Sequence, residues 1–95
     1  MDLIIDRICT YFNVDKENVI AKTNKQDVSM VRNYIYYILH YDYRFSIGQI
    51  SKRFKRCKRE INYRVSEMKY RIAYFNIYKE EYNDITKSIE IVRED

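Results

Sequence analysis

The sequence predicts an all-α fold, a compact helical bundle of about six helices. Three observations support this prediction. The 95 residues include one Gly and no Pro, whereas strand-rich folds depend on both residues for their turns. The hydrophobic fraction is 46%, which is too high for a disordered chain. Apolar residues recur at intervals of three and four, the spacing of an amphipathic helix. The length allows one domain with a modest core.

The first part of the chain predicts two helices and a loop. Residues 3–12 have helical spacing, with Asp2 as the N-cap. Asp15 is placed to cap a short helix that runs through Ile20. Residues 21–26 are polar and irregular, so they are predicted to form a loop.

A long helix and a pair of helices follow. Asp27 caps the long helix, which ends at residues 42–44. Ser46 opens a short helix, and a second helix spans about residues 58–74. An amphipathic helix, a tight turn and a second helix are the elements of a helix-turn-helix. The predicted inward-facing residues of these three helices are Val28, Val31, Ile35, Ile38, Leu39, Ile47, Ile50, Phe54, Ile61, Val65, Met68 and Ile72.

The last predicted helix is acidic, and its start divides the chain into two predicted parts, residues 1–75 and 76–95. Residues 76–95 hold three basic and six acidic side chains. Residues 1–75 are predicted to form the helix-turn-helix domain. The C-terminal helix either packs on this domain or pairs with a second copy in a homodimer. The apolar residues available for either role are Ile77, Tyr82, Ile85, Ile89 and Val92.

Positive charge is concentrated in one part of the chain. Residues 44–71 hold ten Lys or Arg and two acids, a net charge of +8, whereas the whole chain carries +4. Within this part, residues 52–60 read KRFKRCKRE. Because phosphate neutralisation supplies much of nucleic-acid affinity, this cluster favours a nucleic-acid partner. The alternative is a basic helix face that is merely solvated.

Other functional classes find little support in the sequence. No apolar run approaches the roughly 18 residues of a membrane span, and residues 1–6 are acidic where a signal peptide would be basic. We therefore expect a cytoplasmic protein without a membrane partner. Cys9 and Cys57 are expected to be reduced thiols, and His40 is the only histidine. No nucleophile–base motif is present, so we expect no enzyme activity, catalytic residue, metal, cofactor or small-molecule substrate.

Two stretches of sequence resemble a known family. The stretch IIDRICTYFNVDKENVIAKTNKQDVSMVRNYIYYIL joins an Ile-rich helix, a short helix, a basic loop and a long helix. The stretch FSIGQISKRF is similar to the family pattern Ser-Leu-x-x-Ile-Gly-x-x-Phe. Together they resemble the C-terminal DNA-binding domain (domain IV) of the chromosomal replication initiator DnaA, a Trp-repressor-like helix-turn-helix. The resemblance covers about residues 3–75 and implies this fold, with double-stranded DNA as the partner.

The sequence departs from the family at the signature motif. The family has Gly-Gly-Arg-Asp-His-Thr-Thr-Val, whereas residues 55–61 read KRCKREI and only Arg56 matches. The base-reading Asp-His-Thr-Thr has no counterpart, so the resemblance does not imply the family's DNA target. The 95 residues also contain no Gly-x-x-x-x-Gly-Lys-Thr/Ser motif of an ATPase domain.

The turn and the second helix supply most of the candidate DNA-binding residues. Lys55, Arg56, Lys58 and Arg59 lie at the turn and at the start of the second helix. Arg can contact guanine in a bidentate manner, whereas Lys usually contacts phosphate. Ser46 is expected to cap its helix and to offer its hydroxyl and backbone N–H to a phosphate.

Three further candidates lie one turn along the second helix, away from the Ile61–Val65 stripe. Asn62, Tyr63 and Arg64 are candidate base or backbone contacts. For Tyr63, partial packing in the core is an equal alternative.

The remaining candidates follow from the resemblance. Lys22 and Lys25 occupy the basic loop, which in the family approaches the minor groove, where cations gain from the negative potential. As lone surface lysines they would have no role. Arg32 matches a family Arg at the start of the long helix. Its alternative is an ion pair with Asp27 or Asp42.

Two functions from different classes remain open. The first is a stand-alone DNA-binding regulator or replication accessory protein. Its gene would belong to a bacterial chromosome, a phage or a mobile element. The second is a protein–protein adaptor that keeps the fold without sequence-specific DNA reading. The extra Lys and Arg at residues 52–59 favour the first, and the missing base-reading residues favour the second.

Overall fold

The computed structural model describes residues 1–21 and 26–93, and the side chains of residues 1–21 and 28–89. Within these residues the chain forms helices and no strand. The helices are α1 (Asp2–Phe12), α2 (Lys16–Ile20), α3 (Gln26–Tyr41), α4 (Ile47–Phe54), α5 (Lys58–Tyr74) and α6 (Asn76–Arg93). The predicted all-α fold with about six helices is therefore confirmed.

Of the two aspartates predicted as helix caps at the start of the chain, Asp15 occupies its N-cap position and Asp2 does not. Asp2 is the first residue of α1, and Met1 is its N-cap. The Asp2 carboxylate instead accepts a hydrogen bond from Arg53 Nε at 2.8 Å and lies 3.6 Å from Lys16 Nζ. Asp15 is the N-cap of α2, but its side chain makes no cap hydrogen bond. Charge pairing across the bundle therefore takes the Asp2 carboxylate away from the helix end.

Helix α3 is the centre of the bundle and packs against α1, α2, α4 and α5. The five residues predicted to face inward, Val28, Val31, Ile35, Ile38 and Leu39, are all buried. Tyr34 and Tyr36 are buried as well, so the core surrounds most of this helix. The helix begins at Gln26, one residue before the predicted cap Asp27, whose side chain lies outside the described residues.

Helices α4 and α5 form a pair that is joined by the three residues 55–57. Ser46 caps α4 as predicted, through a capping box in which Ser46 Oγ accepts from Gln49 N at 3.0 Å and Gln49 Oε1 accepts from Ser46 N at 2.8 Å. The α4 and α5 side chains that enter the core are Ile50, Phe54, Ile61, Val65, Met68 and Ile72. Ile47, the other inward prediction, is half-buried at its edge.

Helix α6 packs against α1 and α5. Ile85 and Ile89 are buried in the common core, whereas Ile77 is 75% exposed. Ile85 and Ile89 therefore pack on the domain, and Ile77 does not. Tyr82 is half-buried and donates from its hydroxyl to Asp42. The side chain of Val92 lies outside the described residues. Because Phe75 is extended, with φ −123° and ψ 117°, it interrupts the helix and resets the helical phase before Ile77.

Candidate nucleic-acid interface

The turn between α4 and α5 has a defined backbone shape. Lys55 adopts a left-handed conformation, with φ 54° and ψ 45°, and ends α4. Ser51 holds this shape: its carbonyl accepts from Arg56 N at 3.2 Å, and its hydroxyl donates to the Arg56 carbonyl. On either side of the turn, Phe54 and Ile61 are buried. The core therefore fixes both ends of a short, strongly basic segment.

Four of the cations in residues 52–59 are exposed around this turn. They are Lys52, Lys55, Lys58 and Arg59, called here the basic turn surface. Among the side chains that the structure describes, none of these four has an acidic group within ion-pair distance. Lys52 is not among the contact residues that the sequence predicted, although it lies in the same basic run.

The other two cations of the run are already paired. Arg53 bonds the carboxylate of Asp2, with Nε 2.8 Å from Oδ1. This hydrogen bond holds the pKa of Asp2 below its usual value. Arg56 bonds Glu60, with Nη1 3.0 Å from Oε2. The six cations therefore fall into an exposed group of four and a neutralised group of two.

Arg56 lies beneath the turn rather than on its surface. Its side chain is 11% exposed, and its Nη2 lies 3.5 Å from the carbonyl oxygen of Ala21. Its Nε is buried and has no hydrogen-bond partner within the described part of the chain. In this conformation Arg56 is not placed for the direct DNA contact that the sequence suggested.

Arg32 is the most deeply placed of the predicted contact residues. It is 2% exposed, and its guanidinium donates to the carbonyls of Val19 at 2.8 Å and Ala21 at 3.4 Å. Burial lowers the pKa of Arg32, and the charge of Arg56 lowers it further. A direct DNA contact by Arg32 is therefore incompatible with this conformation, because its donors hold the end of α2.

The candidates one turn along α5 differ in their exposure. Asn62 is exposed, and Tyr63 is 65% exposed, so the alternative of partial core packing for Tyr63 is wrong. A hydrogen bond with Glu67 raises the pKa of Tyr63. Arg64 is half-buried, with Nη1 3.4 Å from Asn33 Oδ1. Of these three candidates, Asn62 and Tyr63 therefore lie exposed on the outer face, with the Tyr63 hydroxyl bonded to Glu67.

The start of α4 lies next to the start of α5. A Cβ atom placed on Gly48 would lie 3.5 Å from Lys58 Cε and 3.7 Å from Lys58 Nζ. The Lys58 side chain therefore lies over the first turn of α4, close to the exposed cap residue Ser46. Lys22 and Lys25, which complete the predicted site, lie outside the described residues.

Two features of other functional classes are absent from the part of the chain that the structure describes. They contain no group of three His, Cys, Asp or Glu residues placed to hold a metal ion. Over the same range, none of the helices is long and apolar enough to cross a membrane.

Comparison with known proteins identifies similar chains. A stretch of 54 residues, 57% of this chain, is 37% identical to the chromosomal replication initiator protein DnaA of Mycoplasma pneumoniae. The chain is similar to a segment of DnaA. The DnaA of Mycoplasma genitalium is 35% identical over 54 residues. The chain spans 12% of the length of each relative, and no family model matches it. The resemblance to DnaA found in the sequence is thus confirmed.

Proposed function

We propose that the chain binds double-stranded DNA through the basic turn surface of a helix-turn-helix formed by α4 and α5. The observation that carries this proposal is the set of four exposed cations around one turn, without a described acidic partner. A merely solvated helix face would mix charges of both signs, whereas this surface has one sign only. The similarity to a segment of a replication initiator supports the same partner.

In this proposal the start of α5 enters the major groove. Lys58 and Arg59 lie in its first turn, where backbone N–H groups also favour phosphate. Asn62 and Tyr63 follow one turn later and are the groups available to base edges. A helix-turn-helix uses the N-terminal residues of its second helix in this way. With so few base-reading groups, we infer limited sequence specificity.

The biological role that fits this surface is a stand-alone regulator or a replication accessory protein. It would act in the cytoplasm of a bacterium or of a phage-infected cell. The relatives are named as chromosomal replication initiators, and this chain corresponds to a small part of their length. Replication is therefore the first process in which to look for a phenotype.

Binding to matched nucleic acids tests the proposal. Fluorescence anisotropy at low salt would compare a random-sequence DNA duplex with an RNA duplex of the same sequence. The major groove of A-form RNA is deep and narrow, so side chains cannot read it. We expect clearly tighter binding to the DNA duplex. No binding to DNA at low salt, or equal binding to both duplexes, would contradict the proposal.

A second candidate function is a protein–protein adaptor that keeps the fold without reading DNA. One surface favours it: Tyr70, Tyr74, Phe75 and Ile77 are all exposed where α5 meets α6. The rings of Tyr70 and Tyr74 lie 4.8 Å apart, and those of Tyr70 and Phe75 lie 6.1 Å apart. Clustered apolar exposure of this kind is typical of interaction sites. This aromatic corner lies at the opposite end of α5 from the basic turn surface.

We infer that the occupant of the aromatic corner is a second copy of the chain. The exposed residues Lys79 and Glu80 follow the corner on α6, and a two-fold contact can pair such residues reciprocally. Ile85 and Ile89 are buried in the bundle, so they are not available for pairing. Light scattering should show a concentration-dependent mass that the double substitution Tyr74→Ser/Ile77→Ser abolishes. A constant monomer mass would contradict this inference.

A further inference from the structure

The ion pair at the start of α5 presents its negative member to solvent. Arg56 Nη1 lies 3.0 Å from Glu60 Oε2, and the Arg56 side chain is 11% exposed, whereas the Glu60 side chain is 39% exposed. Within the described residues, the other carboxylate oxygen, Glu60 Oε1, accepts no hydrogen bond. A molecule that approaches the first turn of α5 therefore finds more of the carboxylate than of the guanidinium.

Glu60 is not part of a capping box. It is the third residue of α5, a position from which a glutamate side chain can bond the backbone of the N-cap residue. The N-cap is Cys57, whose side chain makes no cap hydrogen bond within the described chain. The Glu60 carboxylate bonds Arg56 instead. Its charge still complements the helix dipole, but that interaction requires no particular orientation of the carboxylate.

Arg56 holds the Glu60 carboxylate in one orientation. The guanidinium is itself enclosed on another side, where Nη2 lies 3.5 Å from the Ala21 carbonyl oxygen. Immobilising a flexible side chain on binding lowers affinity, and this pair is already ordered in the free protein. The positive charge of Arg56 also offsets the repulsion between a carboxylate and the DNA phosphates. Glu60 can therefore enter a groove as an oriented hydrogen-bond acceptor.

We propose that Glu60 reads a base: its outer carboxylate oxygen accepts a hydrogen bond from the exocyclic amino group of a cytosine in the major groove, and Arg56 positions it. The proposal rests on the proposed function, which brings the first turn of α5 into that groove. Cytosine presents a donor there, N4, whereas guanine and thymine present acceptors that repel a carboxylate. Adenine has the donor N6, but its acceptor N7 lies beside it.

A single acceptor of this kind gives a modest preference. We expect cytosine to be favoured at one position of the bound sequence by roughly fivefold, at the lower end of the range for a base contact. This agrees with limited sequence specificity, because the rest of the basic turn surface consists of cations that suit phosphate at any sequence.

Selection of binding sites from random duplexes, followed by sequencing, measures this preference. The unsubstituted chain is compared with Glu60→Gln and with the matched control Glu17→Gln. Glu17 is an exposed carboxylate in the first turn of α2, so its substitution makes the same chemical change at an equivalent position of another helix. Thermal melts establish that each variant folds.

The unsubstituted chain and Glu17→Gln should both favour cytosine at the same position. Glu60→Gln should lose this preference and shift towards adenine, because a glutamine amide can bond adenine N6 and N7 together. Glu60→Ala is a second variant, which should lose the cytosine preference without gaining one for adenine. It keeps the test decisive if Glu60→Gln does not fold.

Two results would overturn the role of Glu60 while duplex binding stands. One is duplex binding by the unsubstituted chain without a cytosine preference. The other is the same preference in the unsubstituted chain and in both Glu60 variants, with affinity changed alike for all sequences, because Glu60 would then act through its charge alone. If the unsubstituted chain binds no duplex at low salt, the proposed function fails and the role of Glu60 fails with it.

Discussion

The division of the basic run into exposed and paired cations makes a quantitative prediction. Two double substitutions remove the same formal charge from the same run. Lys58→Gln/Arg59→Gln removes two exposed cations, whereas Arg53→Gln/Arg56→Gln removes two that are bonded to carboxylates at 2.8 and 3.0 Å. We expect the two variants to differ strongly in the salt dependence of duplex binding.

The expected magnitude follows from counterion release. Each phosphate that a protein neutralises on B-DNA contributes about −0.9 to the slope of log affinity against log salt. The four cations of the basic turn surface should together contribute about −3.6, so they alone lower affinity roughly 10²-fold between about 50 and 200 mM salt. Removing two of them should make the slope shallower by about 1.8. Removing the two paired arginines should change the slope little, because each already has a carboxylate as its counterion.

Fluorescence anisotropy with a random-sequence duplex over that salt range measures both slopes. A thermal melt of each variant establishes that affinity is compared between folded proteins. Equal slope changes in the two double variants would refute the reasoning. They would mean that DNA opens both ion pairs and that all six cations reach phosphate.

Three further predictions concern individual residues. Lys22→Ala/Lys25→Ala should weaken duplex binding with little change in the melting temperature, because cations in a narrow minor groove gain from its negative potential; unchanged affinity would mark both as ordinary surface lysines. Arg59→Ala should weaken all sequences alike if Arg59 contacts phosphate, which we expect, whereas a base contact would relax preference at one base pair by about 1–3 kcal/mol. Selection of binding sites from random sequences decides between these outcomes, since a sharp motif would contradict the phosphate-only contact. A palindromic motif would also indicate a dimer. Arg32→Met should lower the free energy of unfolding in urea by about 1–3 kcal/mol, because it removes the guanidinium that donates to the Val19 carbonyl at 2.8 Å; an unchanged urea midpoint would argue against this role.

The sequence predicted the helices best where the apolar spacing was long. Helix α5 was predicted at about residues 58–74 and is observed as Lys58–Tyr74, because four apolar residues at regular spacing define its phase. At the start of α6 the apolar spacing left open whether Ile77 packs on the domain, and it is exposed. One extended residue, Phe75, resets the phase, and no apolar pattern shows by how much.

The paired and buried charges could not be predicted in the same way. A charged residue is normally expected on the surface, yet Arg32 is buried and Arg56 nearly so. Their partners include backbone carbonyls, which carry no sequence signal, at positions that only the fold brings near. For Arg56, the sequence did indicate a partner, because Glu60 lies four residues later and this spacing brings opposite charges together on a helix.

The left-handed backbone of Lys55 makes Ser51 one of the residues that set the direction in which α5 leaves α4. At φ 54°, a residue other than glycine is less stable by about 1–2 kcal/mol than in the right-handed helical conformation. Residue 55 would therefore extend α4 if nothing opposed it. Ser51 opposes it by accepting from the Arg56 N–H and donating to the Arg56 carbonyl. The angle at which α5 would approach a groove thus depends on the uncharged Ser51 as well as on the buried residues Phe54 and Ile61 on either side of the turn.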